Sequence, residues 1–366
     1  MDMAATAPAT NTPAKGGPKR RVRAVLSWLH LWAGLTAGLV FALASLAGTV
    51  LVFHVDLLKL QHPQLAQHAP VADGHVLSQL IERWGPDGMR SLDLPREELP
   101  VWQAYFEDGH RQYFAPEDGA LLLYRSQHDD VLLWLHEWHV DLLGGKTGRE
   151  VWGVIGCISL AMILIGLYLW WPKSRRFLTQ LKVHAGPPVR RWLTWHRSAG
   201  VILLPLLLLA TVTGVGMVYS KAFQKALTAT FGGKNVKAPE LPGSDAPIDW
   251  TQAIAQARVA LPEARLARVS VPDPHEGAVS FRAPAMGEWH PVGRSTIVLS
   301  RDGRVVQAFD ATTHKLGMRM SQAFYPLHVG AVGGNAMKWI TAFIGLLPMF
   351  LLVTGFLFWR RRSGKR

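Results

Sequence analysis

The chain has 366 residues, 49% of them hydrophobic, with 15 Trp and a formal net charge of +13. That composition is too apolar for an ordinary pair of soluble domains, and the basic residues gather in short blocks beside apolar runs, which reads as membrane topology and not as nucleic-acid binding. The one cysteine, Cys157, excludes a disulfide framework or a cysteine metal site within the chain and is expected to be a small buried residue.

In chain order, residues 1–24 form a basic tail whose Ala-, Pro- and Thr-rich start is expected to be disordered. It carries Lys15, Lys19, Arg20, Arg21 and Arg23, with Asp2 as its acid. The first uncharged run is Leu31–Phe53; Val151–Trp171, Ser198–Tyr219 and Trp339–Trp359 follow. Each is about 20 residues or longer, enough to cross a hydrocarbon core of about 30 Å. The first exceeds the apolar region of a secretory signal, about 7–15 residues, and cleavage after Ala42-Leu43-Ala44 would fall inside it. The expectation is an integral membrane protein with a bundle of four transmembrane helices, the spans lying in 25–54, 129–172, 193–220 and 324–360.

The loop 173–192 carries Lys173, Arg175, Arg176, Lys182, Arg190 and Arg191, and the tail 361–366 with Arg360 carries Arg361, Arg362, Lys365 and Arg366. These blocks place both termini and the middle loop on the cytoplasmic side. The larger segments, 55–128 and 221–323, then face outward. In the first, "VLSQLIERWG", "VWQAYFEDGHRQYFAP" and "EDGALLLYRS" read as a helix followed by strands. In the second, "IDWTQAIAQARVAL", "ARLARVSVP", "GAVSFRAP" and "STIVLSRDGRVVQAFD" repeat that order, with Asp302-Gly303 as a hairpin turn. Two small α+β domains are expected. Residues 129–142 read as an interfacial helix, and "GGKTG" (144–148) lacks the spacing of a phosphate-binding loop.

The chain contains an internal repeat. "WLHLWAGL" aligns with "TWHRSAGV", matching His30 to His196 and Gly34 to Gly200; Gly48 and Gly214 each lie 18 residues after the His. "HVDLLGG" aligns with "HVGAVGG", matching His139 to His328, and Gly166 and Gly355 each follow 27 residues later. Both repeats begin inside, so the duplication is parallel. The i+4 and i+18 spacings put His30, Gly34 and Gly48 on one helix stripe, with His196, Gly200 and Gly214 as its counterpart. Such glycines commonly mean close helix packing; with a His heading each stripe they leave room for a flat macrocycle.

The depths force the pairing. His30 and His196 stand near the cytoplasmic edge, while His139 and His328 stand near the outer one. Two neutral imidazoles facing each other across a bundle suit b-type haem; the absence of C-x-x-C-H excludes covalent attachment. Zinc fits less well, since a structural site needs four donors. Two haems at two depths would make an electron path. His136 is an alternative outer ligand whose repeat partner is Tyr325; His54, matched to Ser220, is a weaker one. The Trp residues at span ends suit an interfacial belt.

The motifs "LHLWAGL", "LHEWHVDLLGG", "YLWWP", "WHRSAG", "YPLHVGAVGG" and "ALPEARLARVSVP" make the chain resemble the PepSY-associated transmembrane family of bacterial inner-membrane proteins. That family includes iron-regulated members and periplasmic ferric-siderophore reductases. The resemblance covers nearly everything after the N-terminal tail. It implies two PepSY-like periplasmic domains and a di-haem membrane domain passing electrons from a cytoplasmic-side or quinol donor to a ferric siderophore. A siderophore or metal transporter, and a non-catalytic regulatory or assembly protein, are the competing expectations.

Overall fold

A computed structural model describes residues 17–172, 177–244, 246–272 and 276–363. The tail expected to be disordered up to residue 16, and the topology residues Asp2, Lys15, Lys173, Arg175, Arg176, Lys365 and Arg366, lie outside the described residues.

Helices α1 (Pro18–Leu35) and α2 (Ala37–Leu51) form a pair bent by 45° at Thr36. Thr36 donates its hydroxyl to the Trp32 carbonyl at 2.8 Å, the back-bonding that bends apolar helices. After α3 (His54–Gln61) and α4 (Gly74–Trp84) come β1 (Met89–Asp93), β2 (Trp102–Phe106), β3 (Arg111–Phe114) and β4 (Leu121–Arg125). Helix α5 (Val131–Asp141) leads into α6 (Gly145–Trp170) and the short α7 (Phe177–Gln180). The second half opens with α8 (Pro188–Ile202) and α9 (Leu204–Val218), bent by 65°. Pro205 has no N–H to give and its ring crowds the carbonyl of residue 201, which favours a break at this point. Then follow α10 (Ser220–Phe231), α11 (Trp250–Ala260), β5 (Arg268–Ser270), β6 (Ala278–Ala283), β7 (Ser295–Ser300), β8 (Val305–Phe309), α12 (Leu316–His328) and α13 (Gly334–Ser363).

Helices α6 and α13 are long and apolar enough to cross a membrane, and the number of spans rises to four if each bent pair makes one. Cys157 is exposed on α6, correcting the expectation of burial.

The strands form a single eight-stranded antiparallel sheet in the order β4-β3-β2-β1-β5-β6-β7-β8. Two separate outer domains were expected; instead the halves join where β1 pairs with β5, Ser91 opposite Ser270, Leu92 opposite Val269 and Asp93 opposite Arg268. Each four-stranded half alone would leave this strand's N–H and C=O groups open at an edge, and pairing the two removes both edges.

One face of the sheet is apolar. Leu92, Trp102, Ala104, Phe114, Val269, Phe281 and Ile297 pack beneath α4 and α11 in one core shared by both halves. The two helices start alike, Asp73 accepting from the His75 and Val76 N–H groups and Asp249 from that of Gln252. A smaller cluster, with Leu58, Leu65, Leu99, Val101, Tyr113 and Leu132, binds the other face of the first half to α3 and α5. Asp130 caps α5 through the Leu133 N–H at 2.9 Å and receives two bonds of 2.7 Å from Arg125, whose third goes to the Tyr113 hydroxyl at 2.8 Å. The helix that carries His139 is thereby clamped to the end of β4.

Candidate functional site

The fold brings the four repeat histidines together in twos. His30 on α1 and His196 on α8 have ring centroids 6.1 Å apart with planes at 86°. His139 on α5 and His328 on α12 have centroids 6.0 Å apart with planes at 37°. The second pair lies beside the sheet; the first is distal to it. Along α6, Trp152 stands 6.4 Å from His139, while a Cβ on Gly166 would meet His30. These positions are 14 residues apart, which at about 1.5 Å per residue separates the pairs by roughly 20 Å.

One local rule holds every ring. The Nδ1 of His30 bonds the Met162 carbonyl at 3.1 Å, that of His196 the Leu351 carbonyl at 2.8 Å, that of His139 the Ala44 carbonyl at 2.8 Å and that of His328 the Ala210 carbonyl at 3.1 Å. Four residues after each of those carbonyls stands a glycine: Gly166, Gly355, Gly48 and Gly214. A Cβ there would approach the Cε1 of the bound ring to 3.0, 3.2, 2.7 and 3.2 Å respectively. The missing side chain admits the ring, and the exposed carbonyl one turn earlier orients it.

That orientation decides the tautomer. A carbonyl only accepts, so Nδ1 carries the hydrogen and Nε2 keeps its lone pair. This is the usual support for a metal-binding imidazole. The second repeat adds a hydroxyl: Thr213 lies 3.1 Å from Nδ1 of His328 and Thr354 lies 3.4 Å from Nδ1 of His196. The matching positions in the first repeat are Ala47 and Ile165, which have none.

The arrangement fits a porphyrin iron. Ring centroids 6.1 and 6.0 Å apart leave room for one metal ion between the members of each pair, so His30 with His196 and His139 with His328 would be the residues to hold it. No cluster of three or more His, Cys, Asp or Glu suited to a metal exists among the described residues. Ser159 and Ser198, each 1% exposed, hold hydroxyls with no partner, leaving polar atoms inside the bundle for a bound group to meet.

Gly48 and Gly214 pack against imidazoles, while Cβ atoms on Gly34 and Gly200 would meet the side chains of Met162 and Leu351 at 3.4 and 3.7 Å. His136 bonds Glu137 at 2.9 Å and His54 bonds the Leu51 carbonyl at 3.0 Å; neither is among the paired rings. The roles of Gly166, Gly355, Thr213 and Thr354 were not assigned from sequence. The repeat alignment matched the two glycines to each other but carried no sign of which ring each would meet.

Apolar helices that bring two histidine pairs together beside an eight-stranded sheet define a membrane protein with paired imidazoles. The chain belongs to the PepSY-associated transmembrane family: residues 27–362 match the family described as the PepSY-associated TM region. Among curated proteins none matches the chain.

Proposed function

We propose that the protein is a di-haem inner-membrane oxidoreductase that takes electrons from a quinol or cytoplasmic-side donor and reduces periplasmic ferric siderophores. In this reading each bent pair crosses the bilayer once, giving four spans in two parallel repeats, with both termini in the cytoplasm and the sheet in the periplasm. The observation that carries it is the centroid spacing of 6.1 and 6.0 Å in pairs whose members come from opposite repeats. Every Nε2 is left unprotonated by the bond at Nδ1. When bound, haem would supply a one-electron iron couple at each level. The chain's own residues orient the rings, hold them neutral and set the two levels roughly 20 Å apart. Reduction of the bound substrate to Fe(II) weakens its hold on a chelator of hard oxygen donors.

The test is a reduced-minus-oxidised absorption spectrum of the purified chain, produced with ample haem, together with haem stoichiometry. Two b-type haems per chain are expected, followed by ferric-siderophore reduction in proteoliposomes given an internal donor. A colourless chain overturns the reading.

A second reading, a siderophore or metal transporter, draws on the helix breaks of 45° and 65°, since interrupted spans occur in transporters. Its mark would be uptake into sealed vesicles with no electron donor present.

A further inference from the structure

We propose that the polar face of the sheet is a carboxylate-binding surface, in which Arg111, Arg268, Arg282 and Arg294 receive an anionic ligand beside the His139–His328 pair.

The register assembles it. Strand partners point to one face, so Asp93, Arg268 and Arg282 form a row across β1, β5 and β6. A neighbouring row places Arg111 opposite Tyr105 and Tyr105 next to Ser91. Arg268 and Arg282 stand directly opposite each other, a like-charge pairing; Asp93 answers Arg268, whereas Arg282 has no carboxylate partner among the described residues. Arg268 and Arg111 also share one ring, their guanidinium carbons 4.4 and 5.4 Å from the centre of Tyr105. Arg294, just before β7, has a buried Nε with no hydrogen-bond partner.

The nearby acids are already engaged. Asp93, 1% exposed, takes Arg268 and the Tyr105 hydroxyl, the latter at 3.1 Å. Glu288 accepts the N–H groups of Ala285 and Ser295 at 3.0 and 3.1 Å, and also the Arg294 N–H and the Ser295 hydroxyl. Glu137 is bonded to His136 at 2.9 Å. Burial, then the proximity of Arg282 and Arg268, lowers the Arg294 pKa, against an opposing pull from Glu288; burial and Arg268 lower that of Arg282. Burial and then Arg294, Arg282 and Arg268 hold His290 down to about 3, so this ring adds no charge near neutral pH.

The cluster reaches the helix that carries His328. The His290 ring is 4.9 Å from that of Tyr325, and Tyr325 precedes His328 by three residues on α12, one helical turn. Guanidinium forks match carboxylates in two-point contact. The shared ligand chemistry is therefore a carboxylate-bearing anion. Its two sources are a ferric chelate built from carboxylates, and the propionates of a haem held by His139 and His328. The substrate assignment rests on the proposed function; anion binding does not.

The full-length chain in detergent is titrated with gallium citrate, a redox-inert anionic chelate, and with a neutral gallium tris-hydroxamate, while haem content is read from the spectrum. Arg282→Gln, Arg294→Gln and Arg282→Lys are compared with the parent, each checked for monodispersity. Weakening of gallium citrate binding by about tenfold in each Gln variant, a smaller loss in Arg282→Lys, unchanged haem and no change for the hydroxamate assign the site to the chelate. Loss of the sheet-side haem in the Gln variants assigns it to propionates. Affinity within about twofold of the parent together with unchanged haem, or no citrate binding by a parent whose haem is insensitive to the variants, overturns the proposal. A colourless parent that still binds gallium citrate through these arginines would defeat the haem reading and leave the anion site standing.

Discussion

The two histidine pairs are built by one rule from different parts. The distal pair takes its rings from the first segments of the bent helices and its carbonyls from α6 and α13. The sheet-side pair takes its rings from α5 and α12, which follow the strands, and its carbonyls from α2 and α9. In both, each ring bonds within its own repeat and faces its partner across the boundary between repeats. What matters is a carbonyl with a glycine one turn later; the helix that offers it is interchangeable. The pairs differ in ring angle, 86° against 37°, and in how they are anchored, because only the sheet-side pair hangs from the strands.

The largest expected effect separates the pairs outright. On the proposed di-haem reading, His196→Ala should remove the distal haem and His328→Ala the sheet-side one, each leaving one haem per chain by quantitative spectroscopy. Loss of both haems from either variant would mean that the pairs are one cooperative unit. Next comes the anchor. Asp130→Ala removes the α5 cap and leaves Arg125 without its carboxylate, an expected loss of about 3 kcal/mol, read as a lower melting temperature with preferential loss of the sheet-side haem. Burial raises the Asp130 pKa, but the Arg125 bonds and the Leu133 N–H more than offset this, and its net value is lowered. Its stabilisation is therefore complete above the ordinary carboxylate range and fades as pH falls through the depressed value. The parent should lose stability on acidification more steeply than Asp130→Asn.

Smaller effects grade the glycines. Gly48→Ala sets a Cβ at 2.7 Å from His139, whereas Gly355→Ala sets one at 3.2 Å from His196. The first should cost about 1–3 kcal/mol of overpacking and disturb the sheet-side spectrum, with the second close to parental. Smallest of all, Thr213→Val and Thr354→Val should each remove a contact worth about 1 kcal/mol. Redox titration should show a modest shift confined to the pair that was touched.

The histidine spacing and the order of helices and strands were legible because the repeat prints each position twice; the Gly48 and Gly214 stripe was visible as well, but it was expected to face a macrocycle and meets the His139 and His328 rings. The union of the halves into one sheet was not. Arg268–Ser270 is only three residues long, and its partner β1 lies some 175 positions earlier, so no local pattern announces the pairing. The arginine row was hidden for the same reason, since Arg268 and Arg282 become neighbours only through register. The bends were half visible: Pro205 marks one, but Thr36 shows itself only once its hydroxyl is seen to take the Trp32 carbonyl.

The central β1–β5 seam also sets a timetable. Its two strands leave the ribosome far apart, and α12 with His328 emerges later still, so neither cross-repeat centre can close while the first repeat stands alone. If the sheet-side pair holds iron porphyrin as proposed, its loading must wait for nearly the whole polypeptide, and a chain arrested after its first half would expose an unpaired strand edge for quality control to seize.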